Sequence, residues 1–178
     1  MMELLAPAGG YEALIAAVQS GADAVYMGFG AFNARRSAKN FTDEEFASAV
    51  EYCHLRGVRV FLTLNTLLTD RELEKAAETL RKASDMGVDA VLVQDWGLLT
   101  LAQETVPDLP IHASTQMSLF TLGGAREAEK LGMERVVLAR ELSRDQVAEI
   151  CAGCGAEIEI FGHGALCMCY SGQCEMSA

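Results

Sequence analysis

Gly87-Val-Asp-Ala-Val-Leu-Val-Gln-Asp95 decides how this chain is read. A glycine able to take the left-handed helix-end conformation is followed by four uninterrupted apolar residues and then by two polar ones. An apolar run this short and this continuous means a strand covered on both faces, as in a parallel sheet packed against helices. Gln94 and Asp95 then fall where the strand ends, the position from which side chains reach a site in such sheets.

Working outward, Gly21-Ala-Asp-Ala-Val25 repeats the pattern and Gly132-Met-Glu-Arg-Val136 follows it more loosely. Seven strand-like runs emerge: Glu3 to Ala6, Ala24 to Phe29, Arg59 to Asn65, Ala90 to Asp95, Ile111 to Met117, Arg135 to Arg140 and Glu157 to Phe161. Between them lie helical stripes, such as Phe46, Ala49, Val50 and Cys53, or Leu73, Ala76, Ala77 and Leu80. Thr42 with Glu45, Thr69 with Glu72 and Ser143 with Gln146 have the spacing of capping boxes and mark three helix starts.

Strands alternating with helices form either an open doubly wound sheet or a closed barrel. The units recur without a long crossover that would reverse strand order, and polar residues gather at strand ends: Asn65, Ser114, Gln116, Arg140, Glu141 and His163. The expected fold is therefore α/β, a TIM-barrel-like (β/α) repeat with about seven of eight units present. The chain reads as truncated, with open edges on its first and seventh strands. Residues 1–162 are expected to form the barrel-like domain and 163–178 a Cys/Gly-rich site loop, with the continuing domain missing.

With 178 residues, about half of them hydrophobic, and only three prolines, the chain can bury one core and is not disordered. No segment reaches the roughly 18 apolar residues of a membrane span, and the amino terminus lacks the basic region of a signal peptide. A cytoplasmic protein is expected, whose six cysteines are thiols, ligands or core fillers rather than a disulfide framework. A formal charge of -11 excludes nucleic-acid binding over the whole surface. Any RNA contact must be local, and Arg35, Arg36 and Lys39, between Phe32 and Phe41, form the one candidate patch. A solvated loop explains the same residues more plainly.

Chemistry concentrates near the end of the chain, in Glu159-Ile-Phe-Gly-His163-Gly-Ala-Leu-Cys167-Met-Cys169-Tyr-Ser-Gly-Gln-Cys174. Thiolates are soft ligands suited to zinc, copper(I) or iron-sulfur clusters, and glycines allow close approach of the backbone. A cysteine nucleophile is the competing reading: Cys167 or Cys174 as thiolate, His163 or His112 as base, Glu159 or Glu141 as orienter. No His-Glu-x-x-His motif is present.

Glu159-x-Phe161-x-x-Gly164-Ala165-Leu166-Cys167-x4-Gly172-x-Cys174-x-Met176-Ser177 resembles the signature of peptidase family U32, the collagenase-like group. Leu5-Ala-Pro-Ala-Gly9, Phe32-Asn-Ala-Arg35, Ala113-Ser-Thr-Gln-Met117 and Leu138-Ala-Arg-Glu-Leu-Ser143 extend the similarity along the whole chain. The resemblance implies two functions. One is oxygen-independent hydroxylation of a tRNA or rRNA base, or of a quinone ring, by a protein carrying a 4Fe-4S cluster on four cysteines, with prephenate as hydroxyl donor to RNA. The other is a peptidase. Cys167 and Cys174 match the first two cluster cysteines, the later ones falling beyond residue 178, and the geometric demands of four-thiolate ligation argue against Cys169 as a substitute. A missing carboxyl-terminal region or a protein partner would complete the barrel. A zinc-stabilised scaffold without catalysis is a third class.

Other residues have plainer readings. Cys53 continues a helical stripe and is expected in the core; Cys151-Ala-Gly-Cys154 has redox or zinc-like spacing, but both cysteines share the apolar face of Val147 and Ile150, so the core is the expected place for them as well. His54 is expected to be exposed near a helix end. His112 either points into the barrel mouth or is a satisfied core histidine. Arg140 either holds a substrate carboxylate or pairs internally with Glu141.

Overall fold

The computed structural model describes residues 2–29, 32, 41–164 and 168–174. Seven parallel strands form one sheet in strictly sequential order, and six helices connect them. The strands are β1 (Leu5–Pro7), β2 (Ala24–Gly28), β3 (Arg59–Leu64), β4 (Ala90–Val93), β5 (Ile111–Ala113), β6 (Arg135–Val137) and β7 (Glu157–Glu159). The helices are α1 (Tyr11–Gln19), α2 (Asp43–His54), α3 (Asp70–Asp85), α4 (Trp96–Thr105), α5 (Leu122–Lys130) and α6 (Arg144–Gly153). Sequential order without reversal is the barrel topology rather than the doubly wound one, as expected.

Period two along each strand divides the side chains into two cores. Val25, Met27, Val60, Leu62, Leu64, Val91, Val93, Ile111, Val136 and Leu138 pack outward against the buried stripes of the helices, among them Leu14, Phe46, Val50, Ala76, Leu80, Leu98 and Ile150. Ala24, Phe61, Ala90, Leu92 and Val137, with Leu5 and Tyr26 beside them, form the smaller inner core on the concave side. Arg135 on β6 reaches Glu3, just before β1, at 2.8 Å. The sheet is thus curled far enough for its sixth strand to touch the start of its first.

The repeated glycine signature is a helix stop that also sets strand register. Gly21, Gly57, Gly87 and Gly132 all have positive φ. In each case the next residue donates back to the carbonyl five positions before it, as Val88 does to Ala83 and Met133 to Ala128, closing a Schellman motif. After Gly21 and Gly87 the acidic residue two positions on pins the neighbouring strand. Asp23 Oδ2 accepts from the Leu4 amide at 2.8 Å, and Asp89 Oδ2 accepts from Val60 at 2.6 Å. Their own amides donate to the carbonyls of the same two residues.

Several strands are shorter than the apolar runs imply. β4 stops at Val93 because Asp95 caps α4, accepting from the Leu98 amide at 2.9 Å. β5 stops at Ala113 because Ser114 caps a 3₁₀ turn over Thr115–Met117. β6 and β7 end at Val137 and Glu159, so Arg140, Glu141 and Phe161 lie in the loops beyond them. The capping boxes of α2 and α6 are formed, with Thr42 and Ser143 donating to Glu45 and Gln146 at 3.0 and 2.9 Å. Thr69 likewise donates to Glu72 at 2.8 Å. Among the described residues, no helix is long and apolar enough to cross a membrane.

Candidate functional site: a thiol loop on the carboxyl rim of the barrel

The loop carrying Cys169 and Cys174 lies on the carboxyl ends of β5 and β6, and Ser171 is its anchor. Ser171 is 1% exposed. Its amide donates to Glu141 Oε1 at 2.9 Å and its hydroxyl lies 3.3 Å from the same oxygen. The hydroxyl oxygen accepts from both the backbone amide and Nε of Arg140, each at 3.1 Å. The carbonyl of Ser171 accepts from Ser118 Oγ at 2.6 Å. Ser118 takes a left-handed conformation, φ 56°, immediately after the turn that follows β5. Gly172 has φ 81°, and a Cβ there would collide with the backbone oxygen of Gln116 and come within 2.7 Å of Ser118 Oγ. Glycine is required on both counts.

Next to this anchor, Asn65 from the β3 loop donates to Ser114 Oγ at 3.2 Å, and Ser114 is itself 1% exposed. The hydroxyls of Thr66 and Thr115 are buried without a hydrogen-bond partner. The Arg140 guanidinium stands 5.9 Å from the centre of the Phe161 ring. Arg140 and Glu141 therefore converge on Ser171, an arrangement that neither sequence reading of the two residues contained.

A second polar group fills the amino-terminal end of the concave side. Arg135, with a side chain 6% exposed, lies 2.8 Å from Glu3, 2.5 Å from Glu157 and 3.4 Å from Glu159. Arg59 also pairs with Glu3. Burial pushes the Glu159 carboxyl up, and the Arg135 charge opposes that shift. His112, facing this group, packs edge-on against Phe61 with ring centres 4.9 Å apart. Burial, helped by the charges of Arg135 and Arg59, pushes its pKa down to about 3. Its Nδ1 is buried without a partner, so His112 is inside the barrel, uncharged and not satisfied.

The sequence candidates thus fall in different places. Gln116, Arg140 and Glu141 meet at the rim around Ser171 and Gly172, in the loop that also carries Cys169 and Cys174, whereas Glu159 and His112 belong with Arg135, and His163 is exposed in the loop after β7. Glu159 is held by Arg135 at the place where an orienter for His163 was expected. Cys167, Arg35, Arg36 and Lys39 lie outside the described residues. Cys53 is fully buried, as its stripe implies, and burial pushes its thiol up to about 11. Cys151 departs from the core reading: it is exposed, because its position on α6 has turned past the stripe of Val147 and Ile150. Cys154 is half-buried, its sulfur 3.5 Å from Glu129 Oε2. His54 is exposed and lies 3.0 Å from Asp89.

Ser171, Ser118 and Arg135 were not singled out from sequence. Arg135 carried a usable signal, since it precedes an apolar strand and faces Glu157 and Glu159 at period two on the next one. Ser118 carried none, because its left-handed backbone falls on a residue without that preference.

The family model for peptidase family U32 matches residues 9–178. The chain belongs to peptidase family U32. Relatives of the chain carry both RNA-hydroxylation names and protease names, the latter including a collagenase of Porphyromonas gingivalis at 37% identity over 98% of this chain and 44% of its own length. A 23S rRNA 5-hydroxycytidine synthase of Escherichia coli is 43% identical over 99% of this chain and 26% of its own length. A tRNA hydroxylation protein P of Helicobacter pylori is 38% identical over 99% of this chain and 42% of its own. The chain therefore spans between about a quarter and under a half of these relatives. The solved U32 peptidase Mk0906 superposes with a TM-score of 0.76, at 20% identity, over 90% of this chain and 68% of that one. That likeness concerns the fold.

Within this U32 chain, the donor chemistry of the rim suits a soft metal centre, because two half-buried thiols flank one anchored turn. Among the described residues, no three metal-binding side chains come together.

Proposed function

We propose that this U32 chain is the barrel portion of an oxygen-independent RNA base hydroxylation enzyme whose 4Fe-4S cluster is held at the carboxyl rim. The observation that supports this reading is the anchoring of the Ser171–Gly172 turn, between Cys169 and Cys174 in the chain, over the ends of β5 and β6, the end of the sheet where barrel enzymes hold their reacting groups. The names of relatives at 43% and 38% identity support the reaction class. Cys167 and Cys174 would hold the cluster, with further thiolates from outside these 178 residues. When bound, a cluster of this kind supplies electron transfer or Lewis-acid chemistry.

The chain's own residues set the surroundings. Arg140 presents a planar guanidinium on the rim, suited to the carboxylates of a donor such as prephenate. Ser114 and Asn65 form a polar floor beside it. The local basic patch at Arg35, Arg36 and Lys39 would contact tRNA or rRNA, consistent with an acidic remainder. The protein would act in the cytoplasm, where its RNA substrates are. The peptidase alternative draws its support from the family's name and from relatives named as a protease and a collagenase at 40% and 37% identity. It lacks support at its centre, where Glu159 and Glu141, its two candidate orienters, are engaged by Arg135 and Ser171.

The test is metal and sulfide analysis of the complete protein, purified without oxygen, followed by nucleoside mass spectrometry of rRNA and tRNA from cells lacking it. About four irons with matching sulfide, and loss of one hydroxylated nucleoside, are expected. Bound zinc without sulfide would point to the scaffold instead. Gelatin or casein cleavage that survives metal removal would establish the peptidase.

A further inference from the structure

We infer that Glu141, Ser171 and Gly172 form a latch that fixes the thiol loop to the barrel rim, so that Glu141 is a positioning residue for Cys169 and Cys174 rather than a catalytic carboxylate. This deepens the reading above, but its test does not depend on that reading.

The geometry carries it in three steps. Ser171 and Gly172 stand midway between Cys169 and Cys174, so what holds them bears on where both sulfurs lie. Five polar contacts converge on Ser171: its amide and hydroxyl on Glu141, the backbone amide and Nε of Arg140 on its hydroxyl oxygen, and Ser118 Oγ on its carbonyl. A serine hydroxyl has one proton and two lone pairs, and here Arg140 uses both lone pairs while Glu141 takes the proton. The hydroxyl is saturated, which explains why a residue so polar is 1% exposed.

Gly172 adds the steric half. The absence of a side chain lets the backbone lie directly on Gln116, and Gln173 Nε2 reaches Ser118 Oγ at 3.2 Å from the same turn. The contacts come from the loop after β6 and from the turn after β5, two strands that pair in the sheet. The loop is thus referenced to the sheet through the turn Ser171, Gly172 and Gln173. Glu141, accepting from Ser171 through one oxygen, is occupied in holding that turn.

Site-resolved alkylation of the full chain under reducing conditions, read by mass spectrometry, tests this. Cys151, exposed on α6 and remote in sequence from the latch, is the internal reference. Glu141→Ala and Ser171→Ala are expected to raise labelling of Cys169 and Cys174 roughly tenfold, the effect of removing hydrogen bonds to a charged group from a local opening equilibrium. Gly172→Ala should raise it further, and Cys151 should be unchanged throughout. Glu141→Gln, which keeps an oxygen to accept from Ser171, should restore most of the protection. Unchanged labelling in both Glu141→Ala and Gly172→Ala, or a rise no greater than that at Cys151, would overturn the latch. Because the readout needs no metal or RNA, failure of the hydroxylation reading leaves the result standing.

Discussion

His112 shows how far a single residue can depart from its ordinary chemistry. With its pKa pushed down to about 3, it stays neutral from pH 8 to pH 5, and its imidazole proton signals should not shift across that range in NMR. The unfolded chain, where the group returns to about 6.5, takes up a proton that the folded state refuses. Stability from this source is therefore complete above pH 7 and is lost as pH falls from about 6.5 toward 3, at up to ~1.4 kcal/mol per pH unit. His112→Leu should flatten that part of the dependence, read as the change in urea midpoint between pH 7.5 and pH 5. An unaltered slope would assign the loss to other groups. The alternation of His112 and Ser114 along a strand puts both on one face but leaves open whether that face is the barrel mouth or a satisfied core; the surroundings that decide it, Phe61, Arg135 and Arg59, come from other strands. Ser171 was illegible for a similar reason: its partners lie 30 and more residues away in sequence.

At the scale of elements, the glycine-acid signature was legible as a helix stop, yet its second role was not. The carboxylates of Asp23 and Asp89 bond to amides at the edge of a neighbouring strand, so each fixes register between two units that the sequence shows only as a repeat. Asp89→Ala should cost about 1–3 kcal/mol by urea unfolding, because it leaves the Val60 amide without its acceptor and frees His54. Asp89→Asn, which keeps an oxygen, should cost less. A loss within ~0.5 kcal/mol for the alanine variant would deny the register role. Strand number and order could be read from the apolar runs; their ends could not, because the capping of α4 by Asp95 and of the 3₁₀ turn by Ser114 competes with strand extension. Cys151 illustrates the same limit on helices, where a stripe drifting around α6 left exposed a residue that periodicity placed inside.

At the scale of the molecule, one buried cation reaches across the concave side. Arg135 faces three carboxylates, so Arg135→Met should destabilise the protein by about 3 kcal/mol by leaving buried negative charge unpaired. Adding Glu159→Gln should recover part of that loss, since burial already disfavours the Glu159 charge. Strict additivity of the two changes in urea unfolding would mean that the pair does not interact. The strand order has a further consequence for synthesis. Every strand pairs with the one made just before it, so each βα unit can dock on the preceding sheet as it leaves the ribosome, with no strand waiting for a distant partner. The bond from Arg135 to Glu3 breaks that rule, spanning 132 residues. Until Arg135 emerges, the growing sheet lacks this link across its concave side; vectorial assembly builds the strands, and a late arginine ties the sixth back to the start of the first.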